Sequence, residues 1–225
     1  MNKLPFTDRA EAGRLLGAEL VKRQLPADIT VLALPRGGVP VGFEVAKILH
    51  APLDIVVVRK IGVPFEPELA MGAIAGTSIQ VLDHYLIADY RISLQEVDAV
   101  VAKERAEVKR REILYRGARP PLDLRGRTAL LVDDGLATGA TMVAAARYAR
   151  ALGSARTIVA IPVGSTEACE RLRKEADELV CLATPEPFIA VGAWFADFQQ
   201  LDDAEVQRLL SEESTLRRRE LQNIR

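Results

Sequence analysis

The sequence predicts an α/β fold: a doubly wound, mostly parallel sheet. Three observations support this. Apolar runs of strand length, among them ITVLAL (Ile29 to Leu34), LDIVVV (Leu53 to Val58) and ELVCLA (Glu178 to Ala183), lack the in–out alternation of half-exposed strands. Such continuous runs suit strands covered on both faces, as in a parallel sheet. Segments of helical periodicity separate the runs at the spacing of βαβ units. The chemically unusual residues fall where the runs end, and in open α/β sheets that edge binds ligands.

Taken in order, Thr7 to Arg23 reads as a helix, with Asp8 and Glu11 at capping-box spacing and Ala12, Leu15, Leu16 and Leu20 on one face. Ile29 to Leu34 is the first strand and ends in PRGG, Pro35 to Gly38. Val39 to Leu49 is helical, and Leu53 to Val58 is a second strand ending in Arg59-Lys60. Ile61 to about Ala75 holds Gly62, Pro64, Pro67 and Gly72 and is expected to begin as a loop. Ser78 to Leu82 is a candidate short strand. Ser93 to about Tyr115 is a charged amphipathic helix with Leu94, Val97, Val101 and Val108 on one face. Its KERAEVKRRE segment is read as a solvated face of mixed-sign pairs in preference to a nucleic-acid contact. RTALLVDD is the third strand, and Thr138 to Leu152 the helix after it, closed by Gly153. Ala155 to Val163 is the fourth strand, a helix starts at Ser165, and Glu178 to Ala183 is the fifth strand. A polar helix from Asp202 to about Leu221 ends the pattern.

With 225 residues the chain is expected to form one domain, its core about 26–183, its hood about 184–200 and its C-terminal helix about 202–221. Hydrophobic residues at 49% and charged residues at 27% are ordinary for a globular protein, and a net charge of −1 argues against nucleic-acid or membrane-surface binding driven by bulk charge. Cys169 and Cys181 have no metal-ligand pattern around them and read as reduced core thiols. The start MNKLPFTDRA has no signal-peptide core and no apolar run reaches membrane length, so a cytoplasmic location is expected.

LLVDDGLATGAT, Leu130 to Thr141, carries the most specific chemistry. A helix start presents unpaired N–H groups and partial positive charge to an anion. Gly135 and Gly139 permit tight turns, and Thr138 and Thr141 add hydroxyl donors. The loop lacks the Lys of a P-loop and the GxGxxG of a dinucleotide site, so a single phosphate held by backbone dipoles is the fitting ligand. A carboxylate beside that phosphate would be repelled, so Asp133 and Asp134 need a different partner: a pair of sugar hydroxyls, a divalent cation, or both. Ribose 5-phosphate satisfies both halves of the motif.

This string closely resembles the 5-phosphoribosyl-1-pyrophosphate (PRPP) motif of type I phosphoribosyltransferases, with no departure at the acids, Thr138, Gly139 or Thr141. The resemblance implies that Ala137, Thr138, Gly139, Ala140 and Thr141 wrap the 5-phosphate. It implies that Asp133 and Asp134 hold the ribose hydroxyls near Mg2+, the metal contact being indirect through water or ligand. Arg36, Gly37 and Gly38 match the pyrophosphate loop of that family, where a non-proline cis peptide is expected at Arg36–Gly37. Arg59 and Lys60 match the Arg-Lys that commonly ends the second strand before a mobile loop, here about Ile61 to Ala75. That loop carries Glu66 and Glu68 in place of further cations, which argues against orotate. TPEPFIAVGAWFADF, Thr184 to Phe198, resembles the hood of hypoxanthine-guanine members, so Phe188 and Trp194, or Phe195 and Phe198, could stack on a planar base or simply pack the hood. His50 and His84 lie outside the motifs.

The implied reaction transfers ribose 5-phosphate from PRPP to a purine or pyrimidine nitrogen and releases pyrophosphate. A PRPP- or nucleotide-binding regulator of the same fold is the alternative, as is transfer to a non-base acceptor. The expected partners are PRPP, pyrophosphate and a nitrogenous base or nucleotide, without nucleic acid or membrane, and with a homodimer as a possible assembly.

Overall fold

Five of the apolar segments pair into one all-parallel sheet in the computed structural model, which describes residues 4–223. In chain order the elements are α1 (Arg9–Val21), β1 (Ile29–Ala33), α2 (Gly38–Leu49), β2 (Leu53–Ile55), β3 (Val58–Val63), β4 (Glu66–Ala75), β5 (Ile79–Leu82), α3 (His84–Asp89), α4 (Leu94–Arg116), β6 (Thr128–Val132), α5 (Ala140–Ala151), β7 (Arg156–Val163), α6 (Thr166–Leu172), β8 (Glu178–Ala183) and α7 (Asp203–Asn223). The parallel sheet has the order β2-β1-β6-β7-β8, and β3-β4-β5 form a separate antiparallel sheet. The doubly wound α/β expectation holds for the main sheet.

Every residue of β1 and β6 is buried because helices cover both faces. Val31, Ala33, Leu130, Val132 and Ile158 meet α1, α2 and α7 through Leu16, Leu20, Val41, Val45 and Leu210. The intervening Leu32, Leu131, Val159 and Ile161 meet α5 and α6 through Met142, Ala145, Ala149, Cys169 and Leu172. Consecutive residues thus serve opposite layers, which is why these runs do not alternate with polar ones. Two helix faces differ from expectation. Leu15 is 36% exposed, with Gly13 and Gly17 buried at the contact with α2 instead, and Leu94 is 79% exposed because it precedes the turns that pack. On α4 the buried positions are Val97, Val101, Val108 and Tyr115, while Glu107 pairs with Arg110 and Arg111 on the solvated side.

The segment expected to begin as a loop at Ile61 is instead a hairpin. β3 pairs with β4 from Val58↔Ala75 to Val63↔Glu66, with irregular register around Gly62. Gly62 faces the Pro67 carbonyl so closely that a Cβ there would overlap it, so the bulge and the missing side chain together admit a proline into the ribbon. Ile61, Val63, Met71 and Ile74 are buried toward α4, and Ala73 and Ala75 toward α5. The second core strand ends correspondingly early, at Ile55, and Arg59-Lys60 belong to the antiparallel sheet. Helix α3, capped by the Asp83 carboxylate on the Tyr85 and Leu86 amides, was not anticipated.

The hood is tied to the N-terminal segment. Phe6 bridges to Phe195 in parallel; the Phe6 amide donates to the Trp194 carbonyl and the Ala196 amide to the Phe6 carbonyl. Among the described residues no helix is long and apolar enough to cross a membrane.

The hairpin is tied to α5 at Gly76, whose φ is +55° and whose hypothetical Cβ would run into the Tyr148 ring. Gly76→Ala should therefore destabilise the protein by about 2 kcal/mol or more, from left-handed backbone cost plus overlap. Chemical denaturation of a double-mutant cycle with Tyr148→Ala should give a double-variant loss smaller than the sum of the single losses.

Candidate functional site

β1 and β6 are neighbours in register, with Ala33 opposite Val132, so PRGG and DDG leave the sheet side by side. The Leu34 amide donates to the Val132 carbonyl at 2.9 Å, and the Gly38 amide to the Leu34 carbonyl at 3.0 Å. A Cβ on Gly37 would overlap the Asp134 carboxylate, and one on Gly38 would lie 2.7 Å from the Val132 carbonyl oxygen and 2.9 Å from the Asp133 Cα. The two glycines let this loop press directly on the two acids. The non-proline cis bond lies at Pro35–Arg36, one bond earlier than expected at Arg36–Gly37. Gly37 already has helical angles, φ −57° and ψ −37°, and caps α2, so the bond before it belongs to the helix entry.

The Asp133 carboxylate accepts from the Asp134 amide at 2.8 Å. Asp134 Oδ2 accepts from Arg9 Nε at 2.8 Å, in an ion pair whose side chains are only 11% and 14% exposed. Burial, and then the neighbouring charge of Asp134, pushes the Asp133 carboxyl well above the usual range. Burial also raises Asp134, and Arg9 opposes that rise. Arg9 is the one cation paired with the acids among the described residues, so two half-buried carboxyl groups share a single cation.

The following loop is fastened from behind. The Leu136 amide and carbonyl bond to the Val163 carbonyl and Ser165 amide, both at 2.9 Å. Ser165 Oγ donates to the Ala137 carbonyl at 2.7 Å, and Arg171 to the Thr138 carbonyl at 3.4 Å. Gly139 takes a φ of +79° and α5 starts at Ala140, two residues after the expected Thr138. The carbonyls are engaged, while the amides of Ala137, Thr138, Gly139, Ala140 and Thr141 have no acceptor among the described residues. Five unpaired N–H groups at a helix start form an anion cradle.

Arg59 and Lys60 line a cleft of about 550 Å³ together with Thr141, Lys103 and Glu104. Arg59 Nε donates to Glu104 at 2.8 Å, while Lys60 and Lys103 have no ion-pair partner among the described residues. Arg36 lies 3.9 Å from Asp203, whose carboxylate also accepts from the Tyr115 hydroxyl at 2.6 Å. Burial and that hydrogen bond push Tyr115 up to about 12. The side chain of Glu68 lies outside the described residues.

In the hood, Val191 sits where a Cβ on Gly135 would be, at 2.5 Å, so this lobe rests on the acid turn itself. Phe188 and Trp194 form a tilted pair with centroids 6.5 Å apart. Trp194 Nε1 is buried with no acceptor among the described residues. Phe195 is buried between Phe6 and Phe198, at 5.5 and 5.1 Å, so it packs the hood and is not free to stack on a base. One face of Phe198 is covered by the Arg9 guanidinium at 3.8 Å. Arg9, Lys103 and Glu104 were missed from sequence because each reads locally as an ordinary surface residue of a helix.

Among known proteins, the family described as phosphoribosyl transferase domain matches residues 26–195. A Mycobacterium tuberculosis protein provisionally named a phosphoribosyl transferase is 47% identical over 205 residues, which is 91% of this chain and 46% of that protein. The chain thus spans about half the length of the curated relatives it matches. A shorter stretch of 69 residues is 41% identical to the ribose-phosphate pyrophosphokinase of Pyrococcus furiosus, covering 29% of this chain and 25% of that one. The crystal structure of TT1426 from Thermus thermophilus superposes with a TM-score of 0.80 at 43% identity, over 93% of this chain and 99% of that one. With the family match running from the strand that leads into PRGG through to the hood, the chain belongs to the phosphoribosyl transferase domain family.

Proposed function

We propose that the chain uses PRPP as a donor and transfers ribose 5-phosphate to a ring nitrogen of a purine or pyrimidine, releasing pyrophosphate. The observation that carries this reading is the junction after β6: five amides without an acceptor among the described residues, beside two half-buried carboxyl groups that share one cation. The first group suits a phosphate dianion, and the second suits hydroxyl donors or a metal-bearing ligand. The partial likeness to a ribose-phosphate pyrophosphokinase supports a ribose phosphate ligand.

In this reading the amides of Ala137 to Thr141 anchor the 5-phosphate, and Asp133 and Asp134 accept from the ribose hydroxyls. The main chain at Gly37 and Gly38, with Lys60 and Lys103, faces the leaving pyrophosphate. Arg36 and Arg59 join after exchanging Asp203 and Glu104 for phosphate oxygens. As the C1–oxygen bond breaks and the C1–nitrogen bond forms, negative charge grows on the leaving group, where these cations act. Phe188 and Trp194 flank the base side.

Three or more carboxylate, His or Cys groups do not gather anywhere among the described residues, so a divalent ion would take most of its shell from ligand oxygens and water. The acid pair, with Arg9 as its one cation among the described residues, fits such an ion. Mg2+ would neutralise diphosphate charge, with Asp133 and Asp134 holding it through water or the ribose hydroxyls.

A PRPP- or nucleotide-binding regulatory role is the second reading, favoured by the engagement of Arg36 and Arg59 with carboxylates of the chain itself. A pyrophosphate-release assay with PRPP, magnesium and a panel of purines and pyrimidines separates the two: base-dependent release is expected, and tight PRPP binding without release for any base would select the regulator. Asp134→Asn should lower PRPP affinity or turnover by roughly tenfold or more, the scale of a charged hydrogen bond; unchanged magnesium-dependent affinity would reject the ribose assignment. Thr138→Val combined with Thr141→Val should weaken ribose 5-phosphate and PRPP alike and spare free pyrophosphate. Equal weakening of pyrophosphate would reject the phosphate-end assignment.

A further inference from the structure

We propose that Arg9 is a positioning residue that couples the hood to the ribose-binding acid, an assignment that rests on the ribose reading of Asp134. Arg9 lies outside the matched family segment 26–195, yet its side chain is 11% exposed and makes three directed contacts. Nε donates to Asp134 Oδ2 at 2.8 Å. Nη1 donates to the Gln199 carbonyl at 2.9 Å. The guanidinium carbon stands 3.8 Å from the centroid of the Phe198 ring. A guanidinium offers donors along its edges and a flat face for stacking, and this geometry uses both.

Two of the three contacts belong to the hood. Phe198 packs on Phe195, and Phe195 on Phe6, which is bonded to the hood backbone three residues before Arg9. The third contact fixes one oxygen of Asp134, whose carboxylate is also pressed against the Gly37 main chain. Asp134 Oδ1 is not engaged by Arg9 and is the atom left to accept from a sugar hydroxyl. A displacement of Phe198 or Gln199 is therefore transmitted to Asp134 through one rigid group. Occupation of the hood by the acceptor and of the acids by the sugar become linked events, without any contact between Phe198 and the sugar.

The test measures equilibrium binding of PRPP with magnesium, and separately of magnesium pyrophosphate, to the full chain and to Arg9→Met, Arg9→Lys and Phe198→Leu. Arg9→Met is expected to weaken PRPP roughly 10- to 100-fold, the scale of a lost charge-assisted bond, with pyrophosphate changing less than ~3-fold. Arg9→Lys keeps the charge but not the fork or the flat face and should restore only part of the affinity. Phe198→Leu should weaken PRPP several-fold with the same selectivity. Wild-type PRPP affinity in Arg9→Met, or equal loss of PRPP and pyrophosphate, would overturn the assignment as a structural effect; unchanged affinity in Phe198→Leu would overturn the coupling. An unmutated chain that binds pyrophosphate but not PRPP defeats the ribose reading itself, a result seen before any variant is made.

Discussion

The withdrawal of two adjacent carboxyl groups from most of the solvent at the end of β6 is the constraint around which the rest is arranged. Like charges on neighbouring residues repel, and removal from water raises the cost of each. The chain offsets this with the Asp134 amide on Asp133 and with Arg9 on Asp134. Both devices demand close approach. The register that sets Ala33 beside Val132 delivers PRGG to the acids, and Gly37 and Gly38 remove the side chains that would hold it away. The hood closes the opposite side, with Val191 against Gly135. What remains is a pair of carboxyl groups with one cation beside them, a setting suited to hydroxyl donors and a further cation.

The second sheet solves a separate problem of placement. Lys60 and Arg59 stand on a ribbon packed between α4 and α5, so they are held by secondary structure instead of by a free loop. α4 faces them with Lys103 and Glu104 across the same cleft that Thr141 lines from the start of α5. Glu104, at 13% exposure, fixes Arg59 in advance, and an arriving polyanion need only displace one carboxylate to recruit it. The charged helix that the family motifs leave unexplained thereby acquires a role in the cleft.

Much of this was legible in sequence where local physics dominates. Unbroken apolar runs marked strands covered on both faces, and LLVDDGLATGAT joined an anion cradle to paired acids within twelve residues. The hairpin was concealed because Gly62, Pro64, Pro67 and Gly72 signal a loop, and only the bulge at Gly62 and the burial of Ile61, Val63 and Met71 against α4 override that signal. The six residues of α3 are too few to show a period. Arg9 left no trace, since its partner Asp134 is 125 positions away and a basic residue in a first helical turn reads as solvent-facing. Phe195 and Phe198 could be recognised as hood aromatics, but that they pack depends on Phe6 and Arg9, remote from both in sequence.

The clasp between Phe6 and Phe195 also has a bearing on how the protein comes into being. Arg9 and Gln199 are separated by 190 positions, and closing so long a loop costs entropy that no local contact repays. During synthesis the acids emerge long before the hood that covers one side of them, while Arg9, already made, waits for a backbone partner that leaves the ribosome much later. Order around the acid pair is thus a late step of folding and, by the same reasoning, an early one to be lost: loosening of either half of the clasp would release the hood while the parallel sheet stays intact.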